Sequence, residues 1–135
     1  MEVLKQVESE KLTLNLGYVD LGKIDLLVRD GFYSNRSDFI RTAIRNQLAI
    51  QAADIDRSVT RNTLDLGLRE FTRAELVKCL ERREKLSIQV VGLARIAPDV
   101  SPELAVASIG SITVLGSLQA SPAVKAALAG KLKSS

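Results

Sequence analysis

The 135-residue chain contains no histidine, no tryptophan and a single cysteine. Without histidine it has no imidazole general base, no Ser-His-Asp triad and none of the usual catalytic zinc ligand sets. One cysteine, Cys79, makes neither an intramolecular disulfide nor a thiolate metal cluster. Its helical-looking surroundings read it as a small buried side chain rather than a reactive thiol. Three Phe and two Tyr leave little material for a platform that stacks single-stranded bases. The longest uncharged stretch, Leu104 to Val124, is broken by Gly, Ser, Thr, Gln and Pro, so it is not read as a membrane span. The first residues, Met1-Glu2-Val3-Leu4-Lys5, do not start as a basic-then-apolar signal region. The expectation is a cytoplasmic protein with no membrane partner, no cofactor, no metal and no enzymatic activity.

What is present is ordinary globular material, 46% hydrophobic and 26% charged residues. The length suits one domain or two small ones. Residues 1–50 balance seven Lys and Arg against seven Asp and Glu. Residues 51–85 hold eight against seven, and residues 86–135 only four against two. The net +3 is therefore spread thinly, and net charge by itself does not point to nucleic acid. The drop in charge after Lys85 marks a change of character, and the chain reads as two modules, 1–53 and 54–135.

In the first module, Lys11-Leu12-Thr13-Leu14-Asn15-Leu16 alternates strictly. This predicts a half-exposed strand with Leu12, Leu14 and Leu16 on one face and Lys11, Thr13 and Asn15 on the other. Gly17 ends it. Leu21, Ile24, Leu27 and Val28 then recur at helical spacing, with Asp30-Gly31 as a stop. A second helix follows Tyr33-Ser34-Asn35-Arg36-Ser37-Asp38, with Asn35 or Ser34 as N-cap. Its apolar stripe is Phe39, Ile40, Ala43, Ile44 and Leu48, and it runs on through Ala53. A lone strand leaves its backbone groups unpaired, and about 38 residues bury too little surface to fold alone. Pairing with the same strand of a second chain cures both faults. It also makes a two-stranded ribbon of the kind that fits the major groove of B-DNA.

These residues resemble the ribbon-helix-helix domain of Arc/MetJ/CopG-type transcriptional regulators over residues 11–48. The most specific part is Arg36-Ser37-x-x-Ile40-Arg41-x-Ala43. Where such domains usually have Pro after the strand, this chain has Gly17. The resemblance implies a homodimer built on a βαα unit, with a dimer core including Leu12, Leu14, Leu16, Ile24, Ile40 and Ile44. It implies base contacts from Lys11, Thr13 and Asn15, and phosphate contacts from Ser34, Asn35, Arg36 and Ser37 at the start of the second helix. Lys donates to guanine, Asn bonds bidentately to adenine, and Thr brings a hydroxyl and a methyl. Arg36 has an alternative use, pairing with an acidic neighbour.

Beyond Ala53, Asn62 to Arg69 alternates as a strand, and Thr72-Arg73-Ala74-Glu75 reads as a capping box. Leu86 to Ile96 is a strand region interrupted at Gly92. A repeat follows: Ile88-Gln-Val-Val-Gly92 is echoed by Ile112-Thr-Val-Leu-Gly116, each copy followed by a Ser-Pro helix start at Ser101 and Ser121. Stacked strand–turn rungs and a small α/β sheet both fit.

The expected fold is therefore α+β, a βαα dimerisation and DNA-binding domain followed by a small mixed α/β oligomerisation or effector region. The expected function is a sequence-specific DNA-binding regulator, a repressor, acting as a homodimer or higher oligomer. Two alternatives remain open: an autoregulating antitoxin with a toxin partner, and an assembly protein that does not bind DNA.

Overall fold

The computed structural model describes residues 9–132. The chain divides into two units, Met1–Asp56 and Arg57–Ser135.

The first unit is a helical hairpin. Helix α1 spans Tyr18–Arg29 and begins directly after Gly17. It ends as expected at Asp30 and Gly31. Gly31 adopts φ +89°, and the Gly31 and Phe32 N–H groups donate back to the Val28 and Leu27 carbonyls. That is the left-handed helix stop for which glycine is suited. Leu21, Ile24, Leu27 and Val28 are the least exposed side chains of α1, which is the stripe the spacing defined. Helix α2 spans Arg36–Ile50. It stops three residues short of the expected Ala53, at a break on Gln51, and α3 starts at once as Ala52–Arg61. Nothing in the sequence around Gln51 explains the break.

The expected strand is the largest departure. Residues 11–16 belong to no strand and make no ladder in the single chain. Strand assignment requires a hydrogen-bonded neighbour, and among the described residues this segment has none. The helices therefore come first in the chain and the strands later, in a mixed α/β protein.

The second unit is a three-stranded parallel sheet in the order β1–β2–β3. Strand β1 is Asp65–Phe71, β2 Leu86–Ile96 and β3 Ile109–Gln119. Strand β1 begins later than the alternation implied, because Asn62, Thr63 and Leu64 close α3 instead. Their N–H groups donate to Ser58, Thr60 and Val59 carbonyls, with Thr63 at φ +53°. Parallel strands need crossover connections, and each is a helix. Helix α4 (Arg73–Glu81) joins β1 to β2, α5 (Pro102–Ser108) joins β2 to β3, and α6 (Pro122–Leu128) follows β3. All three N-caps are the ones the sequence marked. Thr72, Ser101 and Ser121 hydroxyls accept from the Glu75, Leu104 and Val124 N–H groups at 3.1–3.2 Å. The Glu75 carboxylate does not complete a capping box. It takes a 3.1 Å bond from Arg69, whose guanidinium also lies 4.5 Å above the Phe71 ring.

One face of the sheet is the core. Ile88, Val90, Ala94 and Ile96 of β2 alternate inward and pack with Phe71, Ile109 and Ile112. Leu76, Ala105, Val124 and Leu128 from α4, α5 and α6 close over them. The repeat seen in the sequence is real in space: Ile88 pairs with Ile112 and Gly92 with Gly116. Gly92 does not interrupt β2, whose pairing continues through it. The rungs are strand plus helix, the small α/β sheet of the two open readings.

Candidate nucleic-acid interface

Polar residues Lys11, Thr13 and Asn15 are exposed, as are the leucines that alternate with them. Leu12, Leu14 and Leu16 are 75%, 58% and 40% exposed. Beside them the α1–α2 hairpin buries a single side chain among the described residues, Ile24, at 7% exposure. Ile40 is half-buried, while Ile44, Leu48 and Ile50 face solvent. The apolar material for a core is thus present but not closed within one chain.

The turn into α2 is built by short-range polar contacts. Asn35 is the N-cap, its Oδ1 accepting from the Asp38 N–H at 2.8 Å. The Asp38 carboxylate in turn accepts from the Ser34 N–H at 2.9 Å. Tyr33 and Phe39 meet edge-to-face with ring centres 5.0 Å apart, pinning the turn to the first helical residues. These contacts leave the N–H groups of Arg36 and Ser37, at the mouth of the helix, without an acceptor among the described residues. Free N–H groups at a helix start, with the helix dipole behind them, favour an anion.

Arg36 takes the alternative the sequence allowed. Its Nε and Nη2 donate to the two carboxylate oxygens of Asp25 on α1, at 2.8 and 2.9 Å. The bidentate pair holds the Asp25 carboxyl below its ordinary range, first through the hydrogen bond and then through the guanidinium charge. It raises Arg36 for the same reasons. The pair ties the start of α2 to the middle of α1, and it neutralises part of the charge that would face a phosphate. The sequence showed both residues, and the helical reading of α1 placed Asp25 beside Ile24. Their pairing depends on how α1 and α2 cross, which periodicity does not specify.

The structure thus brings Ser34, Asn35, Arg36 and Ser37 together at one helix start, and it places Lys11, Thr13 and Asn15 along one exposed segment. It contains no group of His, Cys, Asp or Glu arranged to hold a metal among the described residues. No described helix is long and apolar enough to cross a membrane.

An exposed alternating segment, a two-helix hairpin and a polar helix start are the parts of a DNA-binding module of the ribbon type. The comparison with known families agrees. The model of the ribbon-helix-helix transcriptional regulator family matches residues 7–125. The chain belongs to that family, which makes it a DNA-binding transcriptional regulator by class. The match extends well past the hairpin, so it takes in the sheet unit as well. No curated protein and no solved structure matches the chain.

Proposed function

We propose that the chain is a non-enzymatic, sequence-specific repressor that binds its operator as a homodimer in the cytoplasm. Residues 11–16 of two chains pair as an antiparallel ribbon. Leu12, Leu14 and Leu16 turn inward over the α1–α2 hairpins, adding to a shared core with Ile24, Ile40 and Ile44. Lys11, Thr13 and Asn15 of both chains then form the outer face, which enters the major groove. The start of α2, through Ser34 to Ser37, grips a phosphate on either side. Backbone N–H groups carry most of that grip, because Arg36 is committed to Asp25.

The observation that carries this reading is the row of three exposed leucines beside a hairpin with one buried side chain among the described residues. Each leucine removed from water stabilises the assembly by about 1.5–3 kcal/mol. A second copy of the same segment supplies the missing backbone partners and the missing cover together. The balanced charge of residues 1–50 keeps the non-specific attraction to DNA small, so neighbouring dimers share a tight operator. The antitoxin alternative has weaker support, because a toxin-binding tail is commonly disordered until bound and this C-terminal unit closes its own core.

Selection of bound DNA from a random pool tests the reading. A palindromic or repeated motif is expected. Asn15→Ala and Lys11→Ala should each cost about 1–3 kcal/mol at particular base positions while the dimer persists. A pool that shows no enrichment would refute DNA recognition.

A further inference from the structure

Each strand of the sheet carries a glycine in the same row. Gly67 pairs with Gly92, and Gly92 with Gly116. All three adopt positive φ, +126°, +133° and +122°, a conformation open to glycine and strained for other residues. The reason is a close approach of backbones. A β-carbon on Gly92 would overlap the Gly67 carbonyl oxygen, and one on Gly116 would overlap the Gly92 carbonyl oxygen. Each glycine is therefore a seat for the carbonyl of the strand before it.

The row has a direction, and it is open at both ends. Gly67 has the same conformation as the others, but apart from its chain neighbours no atom of the described residues lies within 4 Å of where its β-carbon would be. Its seat is empty. At the other end β3 is an edge strand, so no following glycine receives the Gly116 carbonyl among the described residues. Edge strands with exposed apolar residues are ready sites for pairing with another chain. Strand β1 is such an edge, with Leu66 and Leu68 at 63% and 52% exposure.

We propose that β3 of one chain adds in parallel to β1 of a second, with Gly116 of the first against the empty seat of Gly67 in the next. This goes beyond the DNA-binding reading and does not depend on it. The occupant is a second copy because β3, the other edge of the sheet among the described residues, carries a glycine in the required phase and conformation. Extending the two internal registers sets Leu115 beside Leu66 and Ser117 beside Leu68 of the next chain. It sets Val114 beside Asp65, where β1 begins. Among the described residues the chain's own Leu132 bridges to β3 at Ile112, two rows before Val114. Such a head-to-tail contact does not close on itself in a pair. It propagates into a ring or a row, and a row would link neighbouring dimers along DNA.

The test uses the full chain with Cys79→Ser, carrying Leu68→Cys and Ser117→Cys together or singly. Within one chain these two positions are separated by β2, about 10 Å, too far for a disulfide. Oxidation of the double variant should give a covalent ladder beyond the dimer, with a 68–117 junction in its mass spectrum. Each single variant should give no ladder. Sedimentation of the unsubstituted chain without DNA should show mass growing past the dimer with concentration. Adding Leu14→Lys should break the N-terminal pairing yet leave the ladder, which separates the two interfaces. Covalent dimers from Leu68→Cys alone would mean that β1 meets β1, and would overturn the proposal. So would an unlinked double variant with nothing larger than a dimer in sedimentation.

Discussion

The two units of this protein solve the burial problem differently. The sheet unit encloses Phe71, Leu76, Ile88, Val90, Ile109, Ile112 and Leu128 almost completely within one chain. The hairpin unit has a comparable supply of leucine and isoleucine but encloses only Ile24 among the described residues. The difference lies in backbone pairing rather than composition. In the sheet unit every strand finds a neighbour in the same chain, and helices cover one face. In the hairpin unit the alternating segment has no neighbour among the described residues, and its leucines are exposed. The sheet unit closes its core within one chain, and the hairpin unit does not. We propose that the missing cover of the hairpin comes from another copy.

Breaking the proposed N-terminal pairing should have the largest effect. Leu14→Lys places a charge in the proposed ribbon core twice per dimer and removes two buried leucines worth about 1.5–3 kcal/mol each. It should abolish the N-terminal dimer and DNA binding, while the sheet unit unfolds in urea as before. Gel shift and circular dichroism check this. Equal loss in both units would erase the contrast.

The converse change is Leu76→Ala, which truncates a fully buried side chain under the sheet. It should cost the sheet unit about 2–5 kcal/mol, read as a lower urea midpoint, with operator affinity of isolated dimers unchanged. Thr72→Ala removes the cap of α4 and should cost about 1 kcal/mol in the same assay.

The smallest effect concerns the Arg36–Asp25 pair, which is solvent-exposed. Arg36 depresses the Asp25 carboxyl from its ordinary value of 3.8. A carboxylate depressed by folding contributes stability that is fully present above its unfolded value and is lost as pH falls through the folded one. The hairpin unit should therefore lose a small increment as pH drops below 3.8, and Asp25→Asn should remove that part of the acid response. Thermal melts of wild type and variant across that range measure it. An identical acid response in the two would show that the pair does not couple to folding.

How much of this was legible in the sequence follows the range of the interactions. The α1 stripe, the Asn35 cap, the Gly31 stop and the three caps of the sheet unit are set within a few residues, and they were readable. The Ile88/Ile112 and Gly92/Gly116 echo was also readable, because repeating rungs leave repeating residues. The third copy, Leu66-Gly67-Leu68, escaped because β1 is short and keeps only the glycine and its flanking leucines. The interruption that the sequence suggests at Gly92 is absent, since the pairing runs through it. Glycine in a strand usually weakens it, but here a neighbouring carbonyl requires it. The phosphate-gripping role of Arg36 was read from its place in the motif. Its engagement with Asp25 depends on a helix crossing, which no local pattern encodes. The alternation at residues 11–16 was legible, whereas the partner that would make it a strand lies outside a single chain.

The central claim is that residues 11–16 become a strand only between two chains. Backbone hydrogen exchange of the full-length protein, followed across a dilution series, tests it most directly. The amides of residues 11–16 should be protected at high concentration and lose protection in step with the dimer fraction. Protection that survives in the monomer, or amides that stay open while the N-terminal dimer is fully formed, would contradict it.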